Sequence, residues 1–213
     1  MIRAVLWDFG GVLTTSPFEA FRRFERENGY PEDFIRQINA TNPDDNAWAK
    51  LERSEVTLDE FDRLFDDEAR AAGKALPGRQ VLVLLSGDLR PRMVRALEIC
   101  ASRFKTACLT NNIAFGSGPG MAQAGDKAGH ITAVMANFDF VIESSKVGVR
   151  KPDPLFYQRA IEALGVAADE CVYLDDLGIN LKPARQLGMT TIKVANPDDA
   201  LAELEAATEL ELR

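Results

Sequence analysis

Four short segments of this 213-residue chain carry side chains able to do chemistry. Asp8 ends an apolar start and precedes Gly10-Gly11, and Thr110-Asn111-Asn112 ends a second apolar run. Lys146, Arg150 and Lys151-Pro152-Asp153 share a turn-forming stretch, and Asp175-Asp176 closes a third apolar run. A carboxylate can attack phosphorus and form an acyl phosphate, which divides one difficult hydrolysis into two easier steps. A bare carboxylate would repel a phosphate dianion, so that chemistry needs a divalent cation between them. Mg²⁺ suits, because it takes hard oxygen ligands and only one or two protein carboxylates. Asp8 with Asp176 would meet that need. Thr110, Asn111 and Lys151 could hold the phosphoryl oxygens as charge shifts in the transition state. Each segment alone also has a plainer reading: Asp8 as a turn cap, Thr110-Asn112 as a turn, Lys151-Pro154 as a helix start, and Asp175-Asp176 as favourable charge at a helix N-terminus.

What would bring these segments together is a parallel sheet. Short runs rich in β-formers predict strands over 2–7, 106–109, 138–142, 171–174 and 190–194. Helical patterns lie between them. Met93, Leu97, Cys100 and Phe104 follow Pro91, a good first-turn residue; Phe156, Ala160, Ile161 and Leu164 follow the Asp153-Pro154 start and end at Gly165. Strand–helix alternation implies parallel β-α units, whose ligands bind outside the carboxyl ends of the strands. All four segments fall there.

The stretch from Ser16 to Leu89 breaks the alternation. Ser16-Pro17-Phe18-Glu19 and Thr57-Leu58-Asp59-Glu60 both fit a capping box, with Asn42 to Asp45 as an internal turn. The reading is an α/β protein: a Rossmann-like core over 1–15 and 90–213, and a helical cap over 16–89 inserted after the first strand. Phe18, Phe21, Phe24, Phe61 and Phe65 are expected in the core of that cap, with Trp48 packing.

Composition narrows the classes. Hydrophobic residues at 46% and charged residues at 27% suit a folded domain and exclude a disordered tail. The net charge of −8 argues against nucleic acid and anionic membranes. The apolar runs are too short to cross a bilayer, and the start lacks signal-peptide order, so a cytoplasmic location is expected. Cys100, Cys108 and Cys171 read as buried thiols. His130, and Asp126-Lys127 beside Gly125 and Gly129, read as loop residues without a metal-binding companion.

The ordered set W-D-F-G-G-V-L-T, C-L-T-N-N, V-G-V-R-K-P-D-P and Y-L-D-D-L-G-I-N-L-K-P-A resembles the four motifs of the haloacid dehalogenase-like (HAD) hydrolase superfamily. More narrowly it is similar to the N-terminal phosphatase domain of soluble epoxide hydrolase and to the HAD-like module of acyl-CoA dehydrogenase family members. The resemblance implies Asp8 as nucleophile and Mg²⁺ ligand, with the backbone carbonyl of Gly10 and the carboxylate of Asp176 completing the metal set. It implies phosphate contacts from Thr110 and Asn111, charge neutralisation by Lys151, and a supporting role for Asp175. Cap residues would select a small-molecule phosphate ester, with the protein a monomer or homodimer.

Two positions depart from the family pattern. The usual second Asp of the first motif, a general acid and base, is Gly10; the second metal-site acid is Asn180. General acid–base help is commonly worth about 10²–10⁴ in rate, so Gly10 predicts slow turnover, most of all on esters with a basic leaving group. It leaves open a catalytically silent module that binds phosphate or a partner, and a 2-haloacid dehalogenase, whose relatives also lack the second Asp.

Overall fold

The computed structural model describes residues 1–113 and 126–212. Five strands, β1 (Ala4–Trp7), β2 (Lys105–Thr110), β3 (Phe140–Glu143), β4 (Cys171–Asp175) and β5 (Thr190–Lys193), form one parallel sheet in the order β3-β2-β1-β4-β5. The chain builds outward from β1 through β2 to β3, then returns to the other side of β1 for β4 and β5. The strand order therefore reverses beside β1, where the connections diverge and leave a crevice.

Every residue of β1 and β4 is buried, because helices cover both faces of the sheet and no polar alternation is needed. Parity sorts the side chains. Val5, Trp7, Cys108, Val172 and Leu174 face one layer with α6 (Pro91–Ala101), α7 (Asp126–Met135) and α11 (Pro197–Thr208). Ala4, Leu6, Ala107, Leu109 and Tyr173 face the other, with α9 (Pro154–Leu164) and α10 (Gly178–Gln186). The helix α9 begins and ends as its sequence predicts: Asp153 accepts the Leu155 N–H, and Gly165 takes the left-handed turn at φ 63°.

Between β1 and α6 lie α1 (Pro17–Glu27), α2 (Phe34–Ala40), α3 (Ala47–Glu52), α4 (Leu58–Ala71) and α5 (Gly78–Leu82). They enclose an apolar cluster of their own, with Phe21, Phe34, Ile35, Phe61, Phe65 and Leu76 buried and Phe18, Phe24 and Trp48 packed against it. Trp48 meets the rings of Phe61 and Phe65 edge-on. The Thr57 capping box is complete, each partner satisfying the other's backbone N–H. Where the chain leaves and re-enters the sheet, the two linkers pair: Thr14 bridges Leu89, and Thr15 N–H donates to the Asp88 carbonyl at 2.8 Å.

Three local expectations change. Ser16 starts α1 but makes no capping bond, so no capping box forms with Glu19; its hydroxyl is directed elsewhere. Residues 126–130 are not a loop but the first turns of α7, with His130 exposed. Burial of Ile131 and Val134 against the sheet outweighs the loop preference of Gly129; Gly125 lies outside the described residues. The third strand runs from Phe140, because the chain is still turning after α7 at Asn137. No helix among the described residues is long and apolar enough to cross a membrane.

Candidate active site

Register brings the site together. Trp7 lies opposite Leu174, so the residues that follow, Asp8 and Asp175, emerge side by side at the carboxyl edge, and the Asp8 N–H donates to the Leu174 carbonyl at 2.9 Å. On the other flank Trp7 is level with Cys108, which places Thr110 just beyond the level of Asp8. The loop between β3 and α9 supplies Lys151, whose side chain is 1% exposed. Its Nζ stands 2.9 Å from Asp8 Oδ1 and 2.8 Å from Asp175 Oδ2. A lysine buried this deeply is tolerable only when paired, and here two carboxylates share it. Burial alone would push the Lys151 ammonium down, but Asp175 and Asp8 outweigh it and hold its pKa above the ordinary value.

Asn111 orients that lysine. Its amide pairs with the Lys151 backbone as a strand neighbour would, Nδ2 donating to the carbonyl at 3.0 Å and Oδ1 accepting the N–H at 2.8 Å. The side chain expected to touch phosphate is thus engaged in holding Lys151, which follows from the adjacency of the β2 end and the 150–153 loop. Behind it, Asn112 Nδ2 donates to Glu143 at 2.6 Å and the Ser144 hydroxyl donates to the Asn112 carbonyl, tying the ends of β2 and β3 together.

Asp175 is the most enclosed of the acids. Besides Lys151 it accepts from the Tyr173 hydroxyl, from the Leu177 N–H at 2.8 Å, and from Asn180 Nδ2 at 3.1 Å on each oxygen. Asn180 is itself fixed by Tyr157, whose hydroxyl donates to its carbonyl at 2.7 Å. The amide that stands where an acid is usual therefore supports Asp175. Asp8 accepts on Oδ1 from both Lys151 and the Phe9 N–H, the latter at 2.7 Å. Asp176 is less buried and receives the Ser16 hydroxyl on Oδ2 at 3.4 Å, the bond that takes Ser16 from its own helix.

Carboxylate oxygens of Asp8, Asp175 and Asp176 lie within 4.8 Å of one another against the single ammonium of Lys151. Burial first, and that excess second, weaken the acidity of Asp8 and Asp176. Burial raises Asp8 well above the usual carboxylate range; Lys151 opposes this, and Asp175 and Asp176 add to it. Burial, then the Asp175 charge, raises Asp176 to about 6. With Asp175 already saturated by protein donors, Asp8 and Asp176 are the pair left to face a cation, and an all-oxygen donor set of this charge fits Mg²⁺.

Sequence reasoning missed three contributors. Gly11, at φ +76°, sits so close to Asp176 that a Cβ there would fall 2.2 Å from its Oδ2. Ser16 and Tyr173 are the others. Tyr173, two residues before Asp175 on one strand, shares its face, a spacing that could have singled it out. Of the other candidate cations, Lys146, in the one-turn helix α8 (Ser144–Val147), reaches from solvent to the buried Glu143, and Arg150 pairs with Glu52 of the insert, so neither joins Asp8.

A parallel α/β core, an acidic cation-seeking cluster at its switch point and helices inserted after the first strand together define a class of hydrolase. The chain belongs to the haloacid dehalogenase-like hydrolase family, whose model matches residues 2–188. It is 35% identical to mouse acyl-CoA dehydrogenase family member 10 over 96% of its own length and 19% of that protein's. It is 33% identical to pig bifunctional epoxide hydrolase 2 over 99% of its length and 40% of that protein's. The chain thus spans less than half of these two relatives. Phosphatase MT3486 of Mycobacterium tuberculosis is 30% identical over 88% of this chain and 85% of its own. Among solved structures, a HAD-like hydrolase from Porphyromonas gingivalis superposes with a TM-score of 0.69 at 22% identity, covering 99% of this chain and 100% of that one. A Bacteroides thetaiotaomicron HAD enzyme in complex with magnesium and inorganic phosphate gives 0.58 at 21%, covering 91% and 94%.

Proposed function

We propose that this chain is a Mg²⁺-dependent phosphatase of small-molecule phosphate monoesters. The observation that carries the reading is the buried Asp8–Lys151–Asp175 bridge with Asp176 beside it, a charge set short of one divalent cation. Asp8, Asp176 and the Gly10 carbonyl would hold Mg²⁺, which supplies the positive charge that lets a phosphate dianion approach a carboxylate. Asp8 attacks phosphorus, the ester oxygen leaves, and water then cleaves the aspartyl-phosphate, returning the Asp8 carboxylate and releasing inorganic phosphate. Lys151 offsets charge on Asp8 and the phosphoryl oxygens through both steps. Thr110 offers its hydroxyl to the phosphoryl group, and Asn111 acts chiefly by holding Lys151. Gly10 offers no proton to the departing oxygen, so turnover is slow on alkyl phosphates.

Residues 16–89 serve as a cap over the core formed by 1–15 and 90–213, excluding water and selecting the substrate. The Ser16–Asp176 bond supports that role, as do the bonds from Ser54 to the Ser145 carbonyl and from Arg150 to the Pro43 carbonyl that join insert to core. An acidic chain acting on a small phosphate needs neither nucleic acid nor membrane, and we place it in the cytoplasm as a monomer or homodimer.

The test is phosphate release from a panel of monoesters with Mg²⁺ and with EDTA, beside Asp8→Asn. Turnover that needs both Mg²⁺ and Asp8 supports the reading. Binding of Mg²⁺ and phosphate without turnover would make the chain a silent module, and metal-independent halide release from a 2-haloacid would make it a dehalogenase.

A further inference from the structure

Glu52 is a carboxylate buried at the end of α3, facing out of the insert and toward the core. One oxygen, Oε1, accepts the Trp48 indole N–H at 2.9 Å. The other, Oε2, lies 2.6 Å from Arg150 Nε, yet both atoms are buried and neither has an aligned hydrogen bond. Arg150 is the residue before Lys151, and its Nη1 donates to the Pro43 carbonyl of the insert at 2.8 Å. Beside this pair, the Ser54 hydroxyl of the insert donates to the Ser145 carbonyl of the core at 3.0 Å.

Among the described residues, Glu52–Arg150 is the ion pair that joins insert to core; the others lie within one or the other. A buried, poorly aligned pair adds little net stability, because desolvation of both charges offsets their attraction. What the pair adds is direction: the guanidinium and the carboxylate must meet in one arrangement, and in that arrangement the loop bearing Lys151 is pressed between the insert and Asn111. Burial leaves the Glu52 carboxyl raised above its usual range, opposed by Arg150, by the Trp48 bond and by the charge of Lys151.

We infer that Glu52 and Arg150 form a latch that seats the helical insert on the Lys151 loop, with Glu52 a positioning residue acting through Arg150. The latch stands on its own geometry; its kinetic consequence rests on the phosphatase reading. Breaking it frees the 41–54 and 143–150 segments together and lowers the population of the closed site. Substrate binding restores part of that population, so KM rises more than kcat falls.

Hydrogen exchange on the full chain tests this with wild type, Glu52→Gln, Arg150→Met and the double variant. Each single variant is expected to raise exchange in both segments by about tenfold, with the double variant no worse than the poorer single. Strands β1 and β4 stay protected throughout. Exchange unchanged from wild type, or two effects that merely add, would overturn the latch. If Arg150→Met also loosens the strands, Arg150→Lys replaces it, and partial return of protection is expected. With p-nitrophenyl phosphate and Mg²⁺, Glu52→Gln should lose about tenfold in kcat/KM, mostly through KM. A loss in kcat alone with unchanged exchange would make Glu52 part of the chemistry and refute the positioning role. A wild type without turnover would remove the phosphatase reading and leave exchange to decide the latch.

Discussion

Restoring an acid at position 10 is the most discriminating perturbation of this site. Gly10 does not occupy the left-handed backbone region, and a Cβ built on it meets nothing within 4 Å. The glycine is therefore not demanded by the fold, and Gly10→Asp has room for its side chain. Replacing Gly also trims the freedom of the unfolded chain, worth about 0.4–1 kcal/mol. Against this, a carboxylate two residues after Asp8 adds negative charge near Asp8, Asp175 and Asp176, which already share one ammonium. At about 6–8 Å and an effective dielectric near 20, each such pair costs on the order of 2–3 kcal/mol before Lys151 and a metal offset it. The metal-free variant should melt lower than wild type, and Mg²⁺ should recover most of the difference. In catalysis, a positioned acid contributes about 10²–10⁴, and most where the leaving oxygen is basic. The assay is kcat/KM across aryl and alkyl phosphates of graded leaving-group pKa. Gly10→Asp should flatten the dependence, raising alkyl esters by about a hundredfold or more and nitrophenyl phosphate far less. An equal change for every ester, or none with Mg²⁺ still bound, would refute the view that Gly10 leaves the site without a proton donor.

Three further outcomes follow from the same geometry. Gly11→Ala combines a left-handed backbone with a Cβ only 2.2 Å from Asp176 Oδ2, so Mg²⁺ affinity by calorimetry should fall at least tenfold and stability by about 1–2 kcal/mol; unchanged affinity would contradict the close approach. Tyr173→Phe removes a donor to the fully buried Asp175 and should cost about 1.5–3 kcal/mol in urea unfolding with the slope unchanged, so an unmoved midpoint would count against that bond. Asp176, raised to about 6 from an ordinary 3.8, binds its proton more tightly folded than unfolded. Its contribution is fully present below about pH 4 and lost as pH rises through 6. In metal-free buffer the melting temperature of wild type relative to Asp176→Asn should therefore decline from pH 4 to 7, and Mg²⁺ should abolish the decline; a rising difference would reverse the sign.

Local rules carried the sequence a long way. The strand runs, the Pro91 and Asp153-Pro154 helix starts, the Gly165 stop and the Thr57 capping box depend on residues within one turn of each other, so propensity and spacing suffice to read them. Parallel topology then put Asp8, Thr110, Lys151 and Asp175-Asp176 at one edge, because strands that run together end together. The chemical types at that edge were legible as well: carboxylates in excess of cations make a set that a divalent cation could balance once they converge.

How each side chain is used was decided by partners far along the chain. Ser16 carries the signature of a helix cap, yet its hydroxyl meets Asp176, 160 residues away. Asn111 reads as a ligand-binding amide, yet the 150–153 loop arrives beside it and takes both ends of its side chain. Asn180 and Tyr173 converge on Asp175, and Gly11 makes way for Asp176, only once β1 and β4 lie in register. A sequence sets which groups are available and on which edge they fall, since both follow from local conformation. Which lone pair each donor satisfies depends on burial, where an unpaired polar group is costly, and burial exists only after the chain has closed on itself.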